Sequence, residues 1–65
     1  MFYVIKLVRK AGARISGDGY VGVGGVFVKR KSEAKRYSLS ELSAAKAAVL
    51  LNPKYDNFEP VHEDE

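Results

Sequence analysis

The chain has no cysteine among its 65 residues, and His62 is its one histidine. Without thiols it can form neither a disulfide nor a thiolate zinc site, and a single imidazole cannot build a histidine cluster. No apolar run is long enough to span a bilayer, so no membrane partner is expected. Met1 to Ile5 is apolar, but Lys6 interrupts it before a secretory leader could develop. A cysteine-free chain of this kind is expected in the reducing cytoplasm. There is also too little chain for a second core. A domain this small buries only about 60% of the surface it exposes when unfolded. With no disulfide or metal staple, its apolar core or a covering partner must hold it together.

What is present is charge, divided along the chain. The net charge is +3. All eleven Lys and Arg fall in 1–54 against Asp18, Glu33 and Glu41, a balance of +8; residues 55–65 carry Asp56, Glu59, Glu63, Asp64 and Glu65 and no base, a balance of −5. Such a division fits a body that faces a polyanion, with an acidic end that either extends into solvent or folds back.

The most completely punctuated stretch is Tyr37 to Pro53, Y-S-L-S-E-L-S-A-A-K-A-A-V-L-L-N-P. Ser38 and Glu41 have capping-box spacing, and Tyr37 and Leu42 have that of a hydrophobic staple. The alanine-rich body loses little side-chain entropy as a helix. Asn52 is expected in a left-handed conformation, and Pro53 cannot continue the helix. Leu39, Leu42, Ala45, Val49 and Leu50 form the stripe expected on a sheet, with Ser40, Ser43 and Lys46 turned away.

Phe2 to Arg9, F-Y-V-I-K-L-V-R, is β-branched and aromatic, apolar on both faces, and reads as a central strand. Lys10 to Gly19 is a glycine-rich loop, with Ile15 expected to pin it to the core and Asp18-Gly19 as a turn. Tyr20 to Lys31 is a second β region, either one bent strand or two short ones broken at Gly24-Gly25. Val26 and Val28 share a face opposite Phe27. Ser32 to Arg36 is a charged connection. Tyr55 to Val61 reads as a short last strand, at an edge because Pro60 lacks a ladder donor. The expected fold is α+β, one helix packed on a small sheet in the order β-β(bent, glycine-rich)-α-β. Residues 1–61 form a single domain, and 62–65 are a frayed acidic tail.

Several motifs fail for lack of context. Gly17 to Gly22, G-D-G-Y-V-G, spells G-x-G-x-x-G but leads into strand-like residues, whereas a dinucleotide loop must open a helix. Gly22 to Gly25 spells G-x-x-G, but lies among strand formers and not between helices. Asp56, Glu59 and His62 would share a face only on a helix, which Pro60 opposes. Ser16, Ser38 and Ser43 lack a nucleophile-elbow context, and His62-Glu63 lies in a segment expected to be mobile. No catalytic, cofactor-binding or metal-binding residues are assigned, and the chain reads as non-enzymatic.

Lys29, Arg30, Lys31, Lys35 and Arg36 put five bases in eight residues ahead of the helix. Arg9, Lys10 and Arg14 join them if the first two β regions are neighbours. Such a cluster binds phosphates through charge and counterion release, with Tyr20, Phe27 or Tyr37 as candidate stacking platforms. The alternative is a solvated face that keeps a small protein in solution.

Tyr37, Leu39, Leu42, Ala45, Leu50, Asn52-Pro53, Val61 and the trailing Glu63, Asp64 and Glu65 form a pattern. It resembles the small FluMu N-terminal-type domain of Mu-like prophage proteins over residues 37–65. That resemblance implies a phage or prophage origin, an α/β domain and a nucleic-acid role; the glycine-rich Tyr20 to Val28 segment departs from it. Two functions follow as expectations. One is a module contacting DNA or RNA through the basic residues. The other is a protein-interaction module, a phage assembly factor or inhibitor of a host protein, pairing with a partner or with itself through the edge strand.

Overall fold

A seven-residue strand, β1 (Tyr3–Arg9), is the axis of the computed structural model, which describes residues 1–12 and 17–65. Beside it run β2 (Gly19–Val21), β3 (Phe27–Val28) and β4 (Phe58–Asp64), in the order β3-β2-β1-β4 with every neighbouring pair antiparallel. The helix α1 (Leu39–Leu51) packs on one face of this sheet. The expected α+β domain is therefore the observed one. Arg14 and Ile15 lie outside the described residues.

The apolar character of β1 on both faces reflects its central place. Ile5 and Leu7 face the helix side and are fully inaccessible, and Val4, on the other side, is 2% exposed. Chain segments cover both sides. Val21, Tyr37, Leu42, Val49 and Tyr55 close over Ile5 and Leu7. The short turn at Lys31–Glu33 and Ala34 cross the opposite face near Val4. Residues after that turn then wedge into the sheet: Ala34 bridges to Gly22 and Tyr37 to Tyr3.

The glycine-rich region resolves as a hairpin. β2 and β3 are joined through a 3₁₀ turn at Val23–Gly25, where Gly24 and Gly25 have φ of 80° and 79°. Only glycine adopts these angles without strain. Val28 pairs with Tyr20 on the face away from α1, and Phe27 turns towards the core against Phe58 at 5.5 Å.

α1 begins as its sequence demands. The Ser38 backbone N–H donates to Glu41 Oε1 at 2.9 Å, and the Ser38 hydroxyl reaches the same oxygen at 2.9 Å. Tyr37 and Leu42 both enter the buried cluster. Its end differs from expectation. Asn52 is extended, not left-handed, with φ −91° and ψ 113°. The reason lies downstream. Its side chain accepts the Lys54 N–H at 3.0 Å and so caps a new 3₁₀ turn, Pro53–Tyr55, which carries Tyr55 into the core.

The packing stripe is also narrower than expected. Leu42, Ala45 and Val49 face the sheet, while Leu39 and Leu50 are 69% and 63% exposed. At 100° per residue these two leucines lie about 60° and 80° round from Leu42. A four-stranded sheet this small does not reach that flank. Lys46, expected to point away, is half-buried and donates to His62 Nδ1 at 3.1 Å.

The acidic end does not fray. β4 starts three residues later than Tyr55 and runs through His62, Glu63 and Asp64, paired with β1 as far as Tyr3↔Asp64. It lies at the sheet edge, as Pro60 required. None of the helices in the described residues is long and apolar enough to cross a membrane.

Candidate nucleic-acid interface

Strand register divides the basic residues into two groups. Val28 is level with Tyr20, and Tyr20 with Lys6. β3 therefore runs parallel to β1 two strands away, about 10 Å across the sheet. Lys29 and Arg30, which continue β3, lie towards the same end of the sheet as Arg9 and Lys10, which end β1 and follow it. This end is built from backbone restraints: the Arg9 N–H donates to Asp18 Oδ1 at 2.9 Å, and the Lys10 N–H to the Asn57 carbonyl at 2.9 Å. Lys10, Lys29 and Arg30 are exposed, and among the described residues no carboxylate lies within ion-pair distance of them.

The second group meets the acidic strand. Lys31 Nζ stands 4.0 Å from Glu63 Oε1, and Arg36 Nε stands 2.5 Å from Glu65 Oε2. Lys31, Arg36 and Glu65 border a cleft of about 330 Å³ over Val4, together with Ser32 and Ala34. Tyr20 belongs to this neighbourhood. Burial, then the hydrogen bond and charge of Glu63, push its phenol above the ordinary value. Lys35 lies over the Tyr37 ring at 5.2 Å from its centroid, an attraction of cation and ring quadrupole.

The eight candidates are thus not one continuous track. Arg9, Lys10, Lys29 and Arg30 share an end of the sheet, Lys31 and Arg36 are held by carboxylates, Lys35 rests on an aromatic ring, and Arg14 is outside the described residues. The proposed stacking platforms are committed elsewhere. Tyr37 is 8% exposed, Phe27 packs on Phe58, and Tyr20 is half-buried beside Glu63. None of these three rings is presented as an open stacking platform.

Among residues considered for metal binding, Glu59 and His62 leave β4 on opposite faces, as their separation of three in a strand dictates. Two features escaped sequence reasoning: the Lys46–His62 contact, and the apolar flank of α1 beside β4, lined by Leu39, Ala47 and Leu50. The second had a visible signal. Between Leu39 and Leu51 the helix has only Glu41 and Lys46 as charges, and its apolar residues lie all round it. A helix of that composition exceeds what one sheet face can cover.

The class these elements define is a small α+β domain, a single helix on a four-stranded antiparallel sheet. No protein-family model matches the chain, and no curated protein or solved structure matches it.

Proposed function

We propose that this protein is a small non-enzymatic binding module whose basic sheet end contacts nucleic-acid phosphates. The observation that carries this reading is the grouping of Lys10, Lys29 and Arg30 with Arg9 at one end of the sheet, the first three without a carboxylate partner among the described residues. Exposed bases grouped at one end of a sheet neutralise phosphates and release counterions, whatever the base sequence. Tyr37 is buried and Phe27 is partly buried against Phe58, so this reading rests on charge and not on those rings as stacking platforms. Binding is therefore sequence-independent and steeply salt-dependent. The resemblance over residues 37–65 adds a phage or prophage setting to this reading.

The test is fluorescence anisotropy with short single- and double-stranded DNA and RNA at several salt concentrations. The expected result is an affinity that falls log-linearly with salt and is lost in a Lys29→Glu, Arg30→Glu variant. Both positions are exposed, so the variant should fold normally. Affinity that survives this reversal would overturn the assignment.

A further inference from the structure

β4 is an edge strand, and among the described residues nothing pairs with its outer side. The phase of its hydrogen bonding follows from one contact. The Glu65 N–H donates to the Phe2 carbonyl at 3.1 Å across the β1–β4 seam. In an antiparallel pair the bonded positions alternate. Glu63, Val61 and Glu59 therefore bond inward to β1, and Phe58, Pro60, His62 and Asp64 turn their backbone groups outward. Tyr3, opposite Asp64, has the matching phase: it exchanges bonds with Tyr37 on the other side of β1. Pro60 falls at an outward position and has no N–H to offer, which blunts that half of the edge. His62 and Asp64 keep both donor and acceptor.

Beside this outward pair lies a mostly apolar groove of about 420 Å³ between α1 and β4, walled by Leu39, Leu42, Ala47 and Leu50, with Ser43 and the Lys46–His62 contact at its border. On the other face of the strand stand Glu59, Val61 and Glu63, with Val61 44% exposed. A strand added here would send alternate side chains to these two surfaces, one apolar and one acidic.

We infer that the His62–Asp64 edge is a docking site for an extended peptide that alternates aliphatic and basic residues, entering as a fifth strand. Its aliphatic side chains fill the groove along α1, and its basic ones face the carboxylates. Charge selects this occupant. Residues 55–65 hold five carboxylates and no base, and among the described residues only Glu63 and Glu65 have ion-pair partners. A second copy of the chain fits poorly. Every two-fold antiparallel register centred between Val61 and Asp64 puts carboxylates of the two copies opposite each other, which is destabilising. The site is separate from the basic sheet end and does not rest on nucleic-acid binding.

The test is an NMR titration of the full chain with a capped five-residue peptide of alternating lysine and valine. Its glutamate–valine counterpart and an N-methylated form serve as controls. The expected result is shifts and slowed exchange at the His62 and Asp64 amides, with binding of the glutamate and N-methylated peptides weaker by at least about tenfold. Leu50→Glu should weaken the lysine peptide by a similar factor, as should the milder Leu39→Ser, while Lys29→Glu with Arg30→Glu leaves it unchanged. Equal responses to the lysine and glutamate peptides would overturn the proposal, as would shifts confined to other strands. Sedimentation showing β4 already paired between two copies would overturn it in favour of self-association.

Discussion

Arg36 Nε lies 2.5 Å from Glu65 Oε2, so the base just ahead of the helix is held by the acidic strand and not presented to solvent alone. Lys31 and Glu63 repeat the arrangement at 4.0 Å. Both pairs are substantially exposed, and pairs of this kind contribute about 0–1 kcal/mol to stability. Their larger effect is electrostatic: in the proposed interface Glu65 takes the place of a phosphate oxygen at Arg36, while Glu63, beyond hydrogen-bond reach of Lys31, offsets that base through charge alone.

A Glu63→Gln, Glu65→Gln variant should therefore bind nucleic acid more tightly while melting at nearly the same temperature. If Lys31 and Arg36 each gain a phosphate contact, the slope of log affinity against log salt steepens by up to about 1.8. Anisotropy titrations across a salt series measure this directly. An unchanged slope would mean that these two bases do not reach the phosphates.

Stability should fall at both ends of the pH scale, for different reasons. At Glu41 the Ser38 backbone N–H, followed by the Ser38 hydroxyl, holds the carboxyl below its ordinary value of 4.5. A depressed folded-state value means that the stabilisation is present above 4.5 and is lost as pH falls through the folded value. At Tyr37, burial first and then the charge of Glu41 raise the phenol above 10.0; burial alone does so at Tyr55. The neutral phenol is the folded form, so its contribution is complete below 10.0 and is lost as pH rises through the folded value. Thermal melts followed by circular dichroism should show a plateau between these limits. Glu41→Gln should flatten the acid limb and, by removing the second cause of the Tyr37 shift, slightly reduce the alkaline one, whereas Tyr37→Phe should reduce the alkaline limb alone.

How much of this was legible in the sequence depended on whether the signal was local. The capping box at Ser38 and Glu41 could be read because all its partners lie within one helical turn. Pro60 announced an edge because its missing donor restricts its position in any sheet. Asn52 misled because two local rules compete there: left-handed helix ends favour Asn, but so does the cap of the following turn, and Pro53 starts that turn. The end of β4 misled for a different reason. Nothing local in H-E-D-E favours a strand; its order comes from pairing with β1, some sixty residues earlier in the chain. The candidate interface was legible as composition only. Which bases meet carboxylates depends on strand register.

Gly19 is buried beneath Phe27, and a Cβ there would collide with the ring and come within 2.9 Å of the Val28 carbonyl. Gly19→Ala should therefore cost about 1–3 kcal/mol through overpacking. Gly24, at φ +80° with nothing near its missing Cβ, tests the other role of glycine. Gly24→Ala should cost about 1–2 kcal/mol through backbone strain alone. Urea unfolding in a Phe27→Leu background separates the two. The smaller side chain should relieve much of the Gly19→Ala cost and none of the Gly24→Ala cost.

The Tyr55 hydroxyl donates to the Gly25 carbonyl, joining the turn after α1 to the tip of the β2–β3 hairpin. Tyr55 is 4% exposed and its ring meets Phe58 edge-on at 6.3 Å, so packing and hydrogen bonding can be removed separately. Tyr55→Phe keeps the ring and deletes the bond. Gly25 is exposed, so water can replace the lost donor, and the cost should be about 1 kcal/mol. Tyr55→Ala empties the core position and should cost about 3–5 kcal/mol. Amide exchange distinguishes a local from a global effect. In Tyr55→Phe the Gly25 N–H, bonded to the Gly22 carbonyl at 3.1 Å, should exchange faster. Its protection should drop by more than that of Ile5 at the centre of β1. Equal acceleration at both amides would show that the hydroxyl supports the whole domain and not the hairpin tip alone.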